Sequence, residues 1–342
     1  MKNIHDYKSE SLKTTRQGFG EALAEIGEEH NNLVVIGADV SGSVMTSIFR
    51  DKFPERFVSV GIAEQNATTI AAGLALSGKI AVFSTYSAFA AFRNADQLRI
   101  SICYNEANVK IGGGHSGITV GPDGATHQSL EEVSFLRTLP NMTLIVPADY
   151  NQTKLATKAI CEMVGPAYIR FGRSAVPEFT SINDNFTIGK GDIISDGNDV
   201  AIIANGLMVW QSILAAQELD KIGIKARVIN LHTIKPIDVE IIVNAARDCK
   251  CIVTAEEHQV FGGLGGAVSE VLAKNYPVPV EFVGMPDRFG GSGEPDELIE
   301  KFGLTWQTIF ASALQVIERK NNLTPTYKKV TDIKYYNDFK IA

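Results

Sequence analysis

The sequence predicts an α/β protein made of two consecutive three-layer α/β domains. Three observations carry that prediction. Short, continuous apolar runs recur along the chain, helix-length stretches separate them, and a bridge over 172–198, rich in Gly, Pro, Asp and Asn, divides two such sets. An unbroken apolar run marks a strand buried on both faces. Strand and helix patterns in alternation imply parallel sheets. The 342 residues suffice for two domains.

The elements follow in order. Residues 1–13 are polar and are expected to be mobile in isolation. Thr14 and Thr15 cap an amphipathic helix over about 16–28. Strand runs fall at 33–37, 80–83, 109–111 and 143–146. Helices are expected near 67–76, 88–104, 129–138 and 151–163. The second set places strands at 200–204, 226–230, 251–254 and 280–283, with helices near 208–222, 237–247, 264–274 and 305–319. Residues 321–342 mix Lys, Tyr and Asp without periodicity, and are expected to be disordered or to wrap a neighbour. The boundaries become a tail over 1–13, domains over 14–180 and 181–320, and a second tail. No short-period repeat occurs.

Composition narrows the function classes. Hydrophobic residues make up 45% and charged residues 21%, an ordinary globular balance. A net charge of -7 with no Lys/Arg run argues against a nucleic-acid surface. No apolar run reaches membrane-spanning length, and the N-terminus does not read as a secretory signal. Cys249-Lys250-Cys251 is spaced too tightly for the usual zinc pairs and sits in a strand-like apolar run. With Cys103 and Cys161 these are expected to be buried, reduced thiols, which fits a cytoplasmic protein.

Residues 57–66, Phe-Val-Ser-Val-Gly-Ile-Ala-Glu-Gln-Asn, place one carboxylate, Glu64, where a buried strand is expected to turn into a helix. A buried acid needs a partner and tends to hold or share a proton. The aminopyrimidine of thiamin diphosphate is one such partner, because it works only when a carboxylic acid tautomerises it. A helix N-terminal glutamate stabilised by the dipole explains the position equally well.

Other patterns have two readings each. Gly112, Gly113 and Gly114 follow a predicted strand, where glycines let backbone approach a ligand or simply form a turn. His115, Asp123 and His127 bring two imidazoles and a carboxylate into one loop, suited to proton transfer; metal ligation ranks lower, and caps and loop hydrogen bonds are the plain alternative. Tyr86, Phe89 and Phe92 share a helical face that packs a core or walls a flat heterocycle. Arg16, Arg170 and Arg173 sit at element ends, as surface ion pairs or anion forks. The glycines of 262–266 precede a helix, where close packing is preferred over an anion cradle. His258 has no identifiable partner in the sequence.

Together these pieces resemble transketolase. The similarity runs over about 14–320, through Thr15-Arg16-Gln17, Gly37-Ala38-Asp39, the Gly-Ile-Ala-Glu-Gln-Asn segment, Ser84-Thr85-Tyr86, the loop from His115 to Gly124, and Arg170 to Arg173. The resemblance implies that 14–180 is a thiamin diphosphate pyrimidine-binding domain and 181–320 a transketolase C-terminal domain. It implies that Glu64 bonds the pyrimidine N1′, with Ile62, Tyr86, Phe89 and Phe92 around that ring. His115, Arg16, Ser43 and Arg173 match residues that hold sugar phosphate, Asp123 one that bonds a substrate hydroxyl, and His127 a substrate-facing position where some members carry Gln. Asp39 is implied to lie near the cleft. Glu64, His115 and His127 are the implied catalytic set.

The family holds the cofactor diphosphate and Mg²⁺ with a Gly-Asp-Gly motif and a later Asn. That motif is missing: Gly191-Asp192-Ile193 fails at its third residue, and Asp196-Gly197-Asn198 is a linker turn. No metal ligand is therefore assigned here. The resemblance implies one chain of a split enzyme, inactive without an N-terminal subunit that carries the metal, in a heterotetramer acting on sugar phosphates. The beta chain of a 2-oxoacid dehydrogenase component, a deoxyxylulose phosphate synthase and a non-catalytic scaffold are the alternatives. Glu64's segment and the His115, Asp123 and His127 set favour transketolase.

Overall fold

The computed structural model describes residues 3–9 and 11–322. A short strand, β1 (Leu12–Thr14), leads into α1 (Thr15–Glu29), whose N-cap Thr14 accepts from the Gln17 N–H. Then come β2 (Leu33–Gly37), α2 (Ser47–Lys52), β3 (Phe57–Ser59), α3 (Glu64–Leu76) and β4 (Ile80–Tyr86). The following helix is π-helical over Phe89–Arg93, passes through α4 (Ala95–Gln97), and is π-helical again over Leu98–Tyr104. β5 (Val109–Gly114), α5 (Glu132–Thr138), β6 (Thr143–Ile145), α6 (Tyr150–Glu162), β7 (Ala167–Arg170) and β8 (Ala175–Pro177) complete the first half. The second half contains β9 (Asp192–Ser195), β10 (Val200–Ala204), α7 (Met208–Lys221), β11 (Ala226–Asn230), β12 (Thr233–Lys235) and α8 (Val239–Cys249). It ends with β13 (Ile252–Gln259), α9 (Leu264–Asn275), β14 (Val280–Met285), α10 (Pro295–Phe302) and α11 (Trp306–Asn321).

The first sheet has seven strands in the order β12-β6-β7-β5-β4-β2-β3, and the second has five in the order β14-β13-β10-β11-β9. Both are parallel apart from β12 and β9, which pair antiparallel. The continuous apolar runs became interior strands, as their two-sided burial requires, except that the run at 280–283 forms β14, a partly exposed edge. β12 lies beyond the linker in sequence and yet forms the edge of the first sheet. One hydrophobic cluster accordingly joins Ile111 and Leu144 to Ile203 and Ile252. The two α/β units share a core.

Several expectations are corrected. The N-terminal segment is docked: Gln217 donates to the Ile4 and Tyr7 carbonyls, His5 bonds Asp220 at 2.9 Å, and β1 pairs with β8. The strand before Glu64 is not buried; β3 is a short, largely exposed edge. Gly112, Gly113 and Gly114 are strand residues of β5, not a ligand loop. A Cβ at Gly112 would lie 2.5 Å from Phe19, at Gly113 1.9 Å from the Tyr168 hydroxyl, and at Gly114 2.8 Å from Phe171. The glycines make room for aromatic side chains. All four cysteines are buried and free, but Cys249 ends a helix and Cys251 precedes a strand. The unpatterned tail lies outside the described residues from position 323 onward.

Arg170 is no surface residue either. Its Nε donates to Glu132 Oε1 at 2.5 Å, and its Nη2 to the Glu257 and Ser129 carbonyls at 2.8 and 3.3 Å. Burial alone would raise the Glu132 pKa, but Arg170 and His258 outweigh it and hold the carboxyl below its ordinary range. Removing one member of such a pair leaves a buried charge uncompensated. Arg170→Met should therefore lower stability by about 3–5 kcal/mol, read as a lower urea midpoint. Arg170→Met combined with Glu132→Gln should recover part of that loss. Because Glu132 is held low, its contribution is present above about pH 4.5 and lost as the pH falls through its folded value. The double variant should accordingly lose less stability than wild type on acidification.

Candidate active site

In an open parallel sheet, ligands bind beyond the carboxyl ends of the strands. Here Tyr86 ends β4 and Gly114 ends β5, and these two residues are register partners. His115 follows directly, with its backbone in the left-handed region at φ 52°. That conformation is uncommon for a residue with a Cβ. It turns the chain off the sheet and sets the imidazole against Tyr86, ring centroids 4.4 Å apart.

A row of rings extends from this point. Tyr86 lies 5.9 Å from Phe89, and His127 stands edge-on to both at 5.9 and 5.2 Å. The Arg93 guanidinium covers the Phe89 ring at 3.9 Å. Its Nη1 donates to both carboxylate oxygens of Glu64, at 3.1 and 3.2 Å. Glu64 opens α3 and is buried. Arg93 is the partner that sequence reading missed. Phe92 is exposed and outside the ring cluster, and Ile62, two residues before Glu64, is exposed.

Cations gather at the other end. Arg16 donates from Nη1 to the Ser43 carbonyl at 3.0 Å, so the backbone of Ser43, not its hydroxyl, is engaged. Arg173 donates to the Val120 carbonyl at 2.7 Å and pairs with Asp123 at 3.8 Å. Asp39 is exposed, also in left-handed backbone. His115 is 3% exposed, and its Nδ1 has no partner among the described residues. Burial first, then Arg16, Arg173 and His127, push its pKa down to about 3, so the ring is neutral near pH 7.

The second α/β unit holds this loop in place. Glu257 of β13 accepts from the Thr119 N–H at 2.8 Å. A Cβ at Gly117, whose φ is +79°, would lie 2.2 Å from that carboxylate. No local signal in the sequence marks Glu257. The glycines near 262–266 frame an anion that belongs to the chain: Glu256 accepts from the Leu264 and Gly265 N–H groups at 2.7 and 2.9 Å. His258 does have partners, bonding the Gln259 carbonyl at 2.8 Å and accepting from the Ser134 N–H at 3.4 Å.

Among the described residues, no group of three or more His, Cys, Asp or Glu side chains is placed to hold a metal ion. No helix there is long and apolar enough to cross a membrane.

The chain matches two family models: the transketolase pyrimidine binding domain over 12–178 and the transketolase C-terminal domain over 189–309. It is 42% identical over 306 residues to a 6-deoxy-6-sulfo-D-fructose transketolase subunit of a Clostridium species, covering 90% of this chain and 95% of that one. It is 39% identical over 305 residues to an apulose-4-phosphate transketolase subunit of Phocaeicola vulgatus, covering 89% and 97%. A solved split-gene transketolase, described as an inactive beta4 tetramer, superposes with a TM-score of 0.85 at 46% identity, covering 90% of this chain and 99% of that chain. The chain belongs to the transketolase family, among the C-terminal or beta subunits of its split members. Its pyrimidine-binding domain implies thiamin diphosphate. The residues present fit that cofactor: a buried carboxylate, aromatic faces beside it, and an unpaired buried imidazole nitrogen beyond them.

An NMR titration of the histidine ring protons should show His115 uncharged down to about pH 3. Arg173→Met should raise that value only part of the way, because burial is the larger cause. A wild-type midpoint near the ordinary 6.5 would overturn the buried neutral imidazole.

Proposed function

We propose that this transketolase-family chain is the C-terminal subunit of a two-chain transketolase, which moves a two-carbon ketol unit from a ketose phosphate to an aldose phosphate. One observation carries the reading: the order of groups along the row. A buried carboxylate stands at one end, aromatic faces and two imidazoles in the middle, and two guanidiniums with Asp123 at the other. That order suits a heterocycle with a basic ring nitrogen followed by a sugar phosphate.

Thiamin diphosphate, when bound, supplies a nucleophilic ring carbon and an acceptor for the electron pair of the cleaved carbon–carbon bond. Glu64 would hold its pyrimidine by sharing a proton with the ring nitrogen, and Ile62, Tyr86 and Phe89 would wall that ring; Phe92, exposed and outside the ring cluster, is left out of the wall. His115, neutral and therefore able to accept a proton, works with His127 at the carbonyl and hydroxyl oxygens of the sugar. Asp123 accepts a hydrogen bond from a hydroxyl. Arg16, Ser43 and Arg173 hold the phosphate, and the guanidiniums suit its oxygens as forked donors.

We place the pyrimidine-binding domain at 14–180 and the C-terminal domain at 181–320. The Gly-Asp-Gly site for diphosphate and Mg²⁺ belongs, in this reading, to a separate N-terminal subunit, with two copies of each chain in the assembly. Two observations support a partner. Relatives of matching length are named as subunits. Ile62, next but one to the buried acid, is 74% exposed. Four buried, free thiols suit work in a reducing cytoplasm.

The test is ketol transfer by this chain mixed with a Gly-Asp-Gly-bearing N-terminal chain, thiamin diphosphate and Mg²⁺. Xylulose 5-phosphate, the sulfonated fructose and apulose 4-phosphate serve as donors, since the relatives' names span the last two. Activity is expected only in the mixture. Glu64→Gln should lower turnover by about 10²–10⁴-fold with assembly intact. Unchanged turnover would remove Glu64 from the chemistry, and release of CO2 from pyruvate in place of ketol transfer would point to the pyruvate-using alternatives.

A further inference from the structure

We infer that Arg93 is a latch on the pyrimidine site: its guanidinium competes with the cofactor ring for the Glu64 carboxylate, and so sets how tightly and how fast thiamin diphosphate loads. The inference rests on the assignment of Glu64 to the pyrimidine nitrogen.

Four features of Arg93 point to a displaceable occupant. One nitrogen, Nη1, engages both Glu64 oxygens, at 3.1 and 3.2 Å, so the carboxylate is taken as a whole. Arg93 makes no other hydrogen bond among the described residues. The same guanidinium covers a face of Phe89 at 3.9 Å, occupying an aromatic surface as well as the acid. The Arg93 side chain is 50% exposed while that of Glu64 is 6% exposed. The cation can therefore swing into water, where it is well solvated, whereas the acid cannot follow.

Local backbone supports the same motion. Arg93 closes the π-helical turn Phe89–Arg93, and the next residue, Asn94, is buried and donates back to the Phe89 and Ala90 carbonyls. The side chain thus projects from a pinned backbone, so its release needs no rearrangement of the helix. π-Helical turns of this kind recur at functional sites. A half-exposed ion pair is weak, so the competition is modest in size and sensitive to salt.

The experiment is calorimetric and stopped-flow titration of thiamin diphosphate into the assembled two-chain complex at fixed Mg²⁺. Arg93→Met should bind with an affinity about 1.5- to fivefold higher than wild type and load faster, the range set by the strength of an exposed pair. Arg93→Lys, which keeps the charge without the planar stack, should fall between them. The gap between wild type and Arg93→Met should close as ionic strength rises. A normally assembled Arg93→Met complex that binds no tighter than wild type would overturn the latch and leave the Glu64 assignment standing. A wild-type complex that binds no thiamin diphosphate would overturn the functional reading itself, and the latch with it.

Discussion

One buried guanidinium organises the region beneath the site. Arg170 ends β7, at the carboxyl edge of the first sheet, where a charge is costly unless it is met by another charge and by hydrogen bonds. Glu132 meets it from α5, and the Ser129 and Glu257 carbonyls accept from its Nη2. Glu132 in turn accepts from Ser87, whose hydroxyl bonds that of Tyr168. The network reaches the residue after Tyr86 on one side and the second α/β unit on the other. Glu257 then takes the Thr119 N–H. The loop bearing His115, Asp123 and His127 is thus fixed from below by groups that touch none of the three.

This arrangement explains why the candidate site sits at a seam. β12 crosses back to the first sheet and one hydrophobic cluster spans both units, so Glu257 is presented to the loop by a rigid neighbour. Gly117 is required there, since its positive φ and the carboxylate against its Cβ position both exclude a side chain. The left-handed backbone of His115 is held by the same surroundings. Strain of that sort survives only where packing on every side dictates it.

Much of the fold was legible in the sequence because it rests on local patterns. The apolar runs that form β2, β4, β5, β10 and β11 announce two-sided burial without reference to any other segment. The Thr14 cap is equally local. What failed depends on distant partners. Three glycines in β5 read alike as a ligand cradle or as space for aromatic rings, and Phe19, Tyr168 and Phe171, far along the chain, decide for the rings. Arg170 reads as a surface residue until Glu132 lies against it. The candidate residues around Tyr86, His115, His127, Asp123 and Arg173 do come together, because two adjacent parallel strands end there. Arg93 was within reach of the sequence, four residues after Phe89, yet nothing local ties it to Glu64, 29 positions away.

The two ends of the row obey different electrostatics, and the difference follows from cover. At the His115 end the chain supplies its own: the imidazole is buried against Tyr86 and kept neutral by burial and two guanidiniums. At the Glu64 end the cover is thin. β3 is a three-residue edge strand, and Val58, Ile62 and Phe92 expose apolar surface on the segments around the acid. A buried carboxylate beside uncovered apolar side chains is an environment left half built, and large exposed apolar surfaces mark places where another body docks. Under the two-subunit reading, that other body completes the low-dielectric surroundings in which Glu64 can share a proton with a ring nitrogen. Until then the charge needs a local partner, and a flexible, half-exposed arginine supplies one without committing the site.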